Sequence, residues 1–118
     1  MAVDGIRSLY LETHNFGKAA AFWTSLGFEH FLDLGGSSGG FRASDGGTYL
    51  FLEEVGEDHP LACEPYFNLA GAADLPPTVD VVTPLEDTHW ETKLMEVRDP
   101  DGRVWKLEDA GQRFPDYG

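Results

Sequence analysis

THWETKLMEVRDPDGRVWKLED, residues 88–109, reads as two strands about a tight turn. Lys93-Leu94-Met95-Glu96-Val97-Arg98 alternates in polarity and runs into Asp99-Pro100-Asp101-Gly102. The alternation resumes in Arg103-Val104-Trp105-Lys106-Leu107. Period-two patterning on both sides of a Pro/Gly turn is the mark of a β-hairpin. Pro100 presets φ for the first turn position, and Gly102 can take the positive φ that closes a bulged turn.

Similar patterning runs back through the chain. Ile6 to Thr13 alternates and predicts a strand, and Asn15 is placed to cap a helix through Leu26. Phe22, Trp23 and Leu26 would share one face of that helix, with Gly27 as its stop. Phe28 to Leu34 predicts a second strand and Gly35 to Gly40 a flexible turn. Phe41 to Ser44 and Thr48 to Glu53 form a hairpin about Asp45-Gly46-Gly47. After the polar linker Glu54 to Leu61, Tyr66 to Ala70 and Val79 to Thr83 predict two more strands, and the 88–109 hairpin supplies the last two. The first half therefore reads β-α-β-β-β. The second repeats that order with its helix largely missing, because Pro76 and Pro77 leave 71–78 room for no more than a turn. The expected class is α+β, with module one at about 4–55 and module two at about 62–110 of a single domain, 1–118.

At 118 residues with 42% hydrophobic and 13% aromatic content, the chain can bury one core and is too short for two ordinary domains. No apolar run approaches the roughly 20 residues of a membrane span. The opening MAVDGIRSLY lacks the basic flank and apolar stretch of a secretory signal. Cys63 is a single cysteine and cannot form an internal disulfide, so a cytoplasmic location is expected. Against 8 basic residues stand 21 acidic ones, a formal charge of −13. That surface repels nucleic acid and anionic membranes; it either attracts a cationic small molecule or simply keeps the protein soluble.

Two stretches resemble a known family. LYLETHNFGKAAAFWTSLGFE, residues 9–29, is similar to the opening of the vicinal oxygen chelate superfamily, also called the glyoxalase/bleomycin resistance/dioxygenase superfamily. There a strand leads into a helix with an aromatic pair and Leu-Gly-Phe, here Phe22-Trp23 and Leu26-Gly27-Phe28. HWETKLMEVRDPDGRVWKLED, residues 89–109, is similar to the closing signature, in which Trp-Gly precedes a strand and Asp-Pro-Asp-Gly; here Glu91 replaces that Gly. The resemblance implies two βαβββ modules side by side, their mixed sheet curled into a cup, and commonly a homodimer. A partner subunit is one means of covering the second sheet, whose helix is missing.

Catalytic members of that family hold a divalent metal through His and Glu side chains of the first and last strands of each module. Carried onto this chain, the four positions are Ser8, Phe51 (or Glu53 with a two-residue slip), Glu64 beside Tyr66, and Lys106. Such a set is unsuited to a metal centre with open coordination positions, and a lysine ammonium repels the cation. Lys106 is expected to pair with Glu64 or Glu53, or to reach a ligand oxygen. His14, His30, His59 and His89 have no ligand spacing on a helix or strand, and surface or capping roles suffice for them. Cys63 lacks a neighbouring base. The Gly-rich 35–40 segment lacks the lysine of a phosphate loop, and the acidic 53–58 run lacks calcium-loop spacing.

Strand parity puts Tyr10 and Glu12 on the Ser8 face, with Tyr49, Phe51 and Glu53 inward on the fourth strand and Tyr66 and Asn68 on the fifth. The resemblance adds Trp90 at the mouth of the cup. Together with Lys106 these form the candidate ligand site, an aromatic cavity edged with carboxylates; the alternative is that the aromatics fill the core. With no catalytic residue, metal or cofactor identified, the expected function is metal-independent binding of a cationic or aromatic small molecule, such as an antibiotic, in the manner of bleomycin resistance proteins. The alternative is a metal-dependent glyoxalase, lyase or dioxygenase with a non-standard site.

Overall fold

The computed structural model describes residues 2–43 and 46–111. The tail, 112–118, and Ser44 and Asp45 of the expected hairpin lie outside the described residues. The elements run β1 (Val3–Thr13), α1 (Phe16–Ser25), β2 (Glu29–Asp33), β3 (Ser38–Arg42), β4 (Tyr49–Glu54), β5 (Cys63–Leu69), a 3-10 turn (Ala72–Asp74), β6 (Asp80–Asp87), β7 (Lys93–Arg98) and β8 (Val104–Asp109). This is an α+β fold of two βαβββ modules with eight strands in mixed pairing, the second helix reduced to the 3-10 turn.

The chain divides into two compact units, and β1 contributes to both. The N-terminal unit comprises residues 8–64, with strands in the order β2-β3-β4-β1. β1 and β4 run parallel, pairing Ser8 with Tyr49, Tyr10 with Phe51 and Glu12 with Glu53; the other pairs are antiparallel. Alternation sends Leu9, Leu11, Leu50 and Leu52 to one face, where they meet Phe16, Ala19, Ala20 and Trp23 of α1 together with Phe41. The helix starts where expected, with the Asn15 side chain accepting from the Lys18 N–H.

Its buried face differs from the expected one. Positions 16, 19, 20 and 23 follow the helical repeat, whereas Phe22 lies off that stripe and Leu26 is the C-cap beyond the helix; they are 55% and 60% exposed. The two small alanines let the helix sit close to the sheet, and Phe22 rests edge-on against Trp23 with ring centroids 5.1 Å apart. A second correction concerns the glycine run. Ser38-Gly39-Gly40 belongs to β3, not to a turn; a Cβ on Gly39 would come within 2.4 Å of the Leu32 carbonyl oxygen, and one on Gly40 within 2.7 Å of the Phe31 ring.

The C-terminal unit contains residues 2–7 and 65–111 of the described chain, with strands in the order β1-β5-β8-β7-β6. β5 and β8 are parallel; β8-β7-β6 is an antiparallel meander. Its core is Leu69, Met95 and Leu107, packed by Val3, Phe67, Leu75, Leu85 and Val97. The hairpin turn is as anticipated: Gly102 has φ 88°, its N–H donates to the Asp99 carbonyl at 3.0 Å, and Asp99 Oδ1 accepts from the backbone of Asp101 and Arg103. β6 extends four residues beyond the expected end at Thr83. It carries Pro84 at the outside of the unit, where an absent N–H leaves no ladder bond unmade.

Candidate functional site

In the N-terminal unit, the parallel β1–β4 register brings five of the expected residues to one face of the sheet, opposite the helix. Tyr10 and Phe51 stack with ring centroids 6.4 Å apart and planes inclined by 14°. Tyr49 meets Phe31 edge-on at 6.0 Å. The Tyr10 hydroxyl touches two carboxylates, donating to Glu12 Oε2 at 2.9 Å and lying within hydrogen-bond reach of Glu53 Oε2. One phenol carries one proton, so it can serve these two acceptors only in turn. Burial and the two adjacent carboxylates push the Tyr10 hydroxyl far above the ordinary phenol range, so it stays protonated and available as a donor.

Glu12 is held in place from a second side. Its Oε1 accepts the Ala62 N–H at 2.9 Å and lies 3.4 Å from His59 Nδ1. Burial opposes the charge on Glu12, but the Ala62 N–H, the Tyr10 hydroxyl and His59 together hold its carboxyl below the usual range. His59 was not among the expected site residues, since nothing in its linker context marks it. His14 Nε2 contacts the His59 carbonyl oxygen at 2.9 Å, which ties the linker to the start of the helix.

In the C-terminal unit, β5–β8 pairing sets Tyr66 beside Lys106, whose ammonium lies 5.7 Å from the Tyr66 ring centroid. Glu96 stands across the β7–β8 ladder from Lys106 and accepts the Thr83 hydroxyl. Asn68 is buried and donates to Asp4 at 2.7 Å, a fixed structural contact. Trp90 is 45% exposed, yet its indole N–H donates to Glu108 Oε2 at 2.6 Å. The same oxygen accepts from Thr92, and Glu108 Oε1 faces Arg7 Nε at 3.3 Å, both side chains being about 5% exposed. Glu108 shares the strand parity of Lys106, so alternation already placed it on that face; Arg7 carried no comparable signal. Beside the Thr88–Thr92 loop lies an open cleft of about 410 Å³ whose walls include Leu85, Lys93 and the carboxylates of Asp87, Glu91 and Asp109.

The expected ligand positions, Ser8, Phe51 or Glu53, Glu64 and Lys106, offer at most two carboxylates beside an ammonium, a set that does not fit a divalent ion. Ser8 is buried, Phe51 stacks on Tyr10, and Lys106 brings a positive charge over Tyr66. Among the described residues, no group of three or more His, Cys, Asp or Glu is arranged to hold a metal ion, and no helix is long and apolar enough to cross a membrane.

Paired βαβββ modules with parallel β1–β4 and β5–β8 strands define the class of fold, and it is one that other solved proteins share. Comparison with solved structures agrees. A glyoxalase/bleomycin resistance protein/dioxygenase superfamily member from Vibrio splendidus 12B01 superposes with a TM-score of 0.59 at 16% identity, covering 86% of this chain and 96% of that one. A protein described as an NAD-dependent benzaldehyde dehydrogenase from Legionella pneumophila gives a TM-score of 0.54, also at 16% identity, covering 86% and 96%. At such identity the likeness is one of fold alone. No protein-family model matches the sequence, and no curated protein does.

Proposed function

We propose that the protein binds a planar, cationic small molecule without metal chemistry, as bleomycin resistance proteins bind their antibiotic. The observation that carries this reading is the Tyr10–Phe51 stack with the carboxylates of Glu12 and Glu53 converging on the phenol. Aromatic faces next to carboxylates attract an organic cation through both stacking and charge, and the net charge of −13 adds long-range attraction. The expected setting is a cytoplasmic homodimer. Val81 is 46% exposed, and the short 72–75 segment takes the place of a covering helix in the second module.

Calorimetric titration with benzamidine and benzyltrimethylammonium, with and without chelator, tests the reading. Binding should be indifferent to chelator. Phe51→Ala should weaken it by about 1–2 kcal/mol, roughly a factor of 5–30. Failure of both cations to bind would sink the proposal. Chelator-sensitive turnover of any substrate would favour a metal-dependent enzyme.

A further inference from the structure

The loop between β6 and β7 presents His89 and Trp90, two exposed rings packed edge to face with centroids 4.8 Å apart. It is strapped at its neck. The Thr88 N–H donates to the Thr92 carbonyl at 2.9 Å, and Thr88 Oγ1 accepts from the backbone of Thr92 and Trp90 at 3.1 and 3.3 Å. Below the neck, buried Glu108 takes the Trp90 indole N–H and the Thr92 hydroxyl on one oxygen and meets Arg7 with the other. The indole is therefore gripped by its N–H edge while Trp90 as a residue stays 45% exposed. Exposed aromatics that rotate freely lose that freedom when a ligand stacks on them; one held in advance does not.

We infer that Glu108 is a positioning residue, and that the Arg7–Glu108 pair fixes the Trp90 indole as a preorganised face for a planar cation. The choice of charge follows the net formal charge of −13, which favours a cationic ligand. The inference rests on the reading of the protein as a binder of planar cations and extends it to residues outside the Tyr10 cluster. A purely structural Glu108 would neutralise Arg7 and have no influence on stacking at Trp90.

The test has a part that needs no ligand. In the unmodified protein, ¹⁵N relaxation of the Trp90 indole should give an order parameter near that of rigid backbone, about 0.85; a value below about 0.6 would overturn the inference. The second part is a double-mutant cycle on benzyltrimethylammonium affinity with Trp90→Phe, Glu108→Gln and the pair. Each single change should weaken binding by about three- to tenfold, and the double should be little weaker than Trp90→Phe alone, because one bond is lost once. Independent, multiplying effects would overturn the positioning role. Should Glu108→Gln fail to fold, Glu108→Asp replaces it in the cycle, since the shorter side chain withdraws the carboxylate from the indole N–H while keeping its charge beside Arg7. A rigid indole combined with no binding of either cation would instead sink the reading of the protein as a cation binder.

Discussion

Glu91 has φ 68°, a left-handed conformation that costs an L-residue about 1–2 kcal/mol relative to glycine. The closing signature that this chain resembles has Gly at that place, so the departure visible in the sequence is one the backbone registers. Glu91→Gly should raise stability by about 0.5–1 kcal/mol, after the added freedom of the unfolded chain is subtracted. A urea titration would show this as a higher midpoint at unchanged slope; a lower midpoint would mean that the carboxylate contributes more than the conformation costs. Lys106 illustrates the limit of residue-level reading. Its unsuitability as a metal ligand was plain from its charge, but its place over Tyr66 depends on the β5–β8 register.

At the level of elements, the alternating strands and the Asn15 cap were legible because each depends on neighbours a few residues away. Two features were not. The helix packs Phe16, Ala19, Ala20 and Trp23 against the sheet, a stripe in which small residues matter as much as large ones, so counting bulky side chains found Trp23 but added Phe22 and Leu26, which stay exposed. In β3, Gly39 and Gly40 look like a loop but serve close strand packing. Gly39→Ala should destabilise by about 1–3 kcal/mol, whereas Gly56→Ala, with nothing within 4 Å of the added carbon, should change stability by less than about 0.5 kcal/mol. Equal midpoints for the two variants would mean that β2 gives way to the methyl group. The β7–β8 hairpin makes a pH prediction. The Trp105 indole N–H above all holds the Asp99 carboxyl below its usual range; burial opposes this, and the Arg103 and Asp101 N–H groups with the Arg103 guanidinium reinforce it. A carboxyl depressed in the folded state contributes stability above its unfolded pKa, about 4, and loses it as pH falls through the folded value. Thermal melts from pH 6 downward should therefore show a shallower acid limb for Asp99→Asn than for the parent. Parallel limbs would remove Asp99 from the acid response.

Across the whole molecule, local chemistry was enough to read the α+β class, the order of the elements, the loss of the second helix to Pro76 and Pro77, and the acidic surface. Each follows from spacing, turn residues or composition, which act over short stretches of chain. Strand parity went further and correctly grouped Tyr10, Glu12, Phe51 and Glu53, because a period of two assigns faces before any pairing is known. Folding settled which groups from distant parts of the chain meet. The parallel register of β1 on β4 set Glu53 across from Glu12 with the Tyr10 hydroxyl within reach of both, and the association of the first strand with the last module buried Arg7 against Glu108. Those contacts join residues that share no local pattern; they exist because a buried donor or charge must find its complement wherever the register brings one.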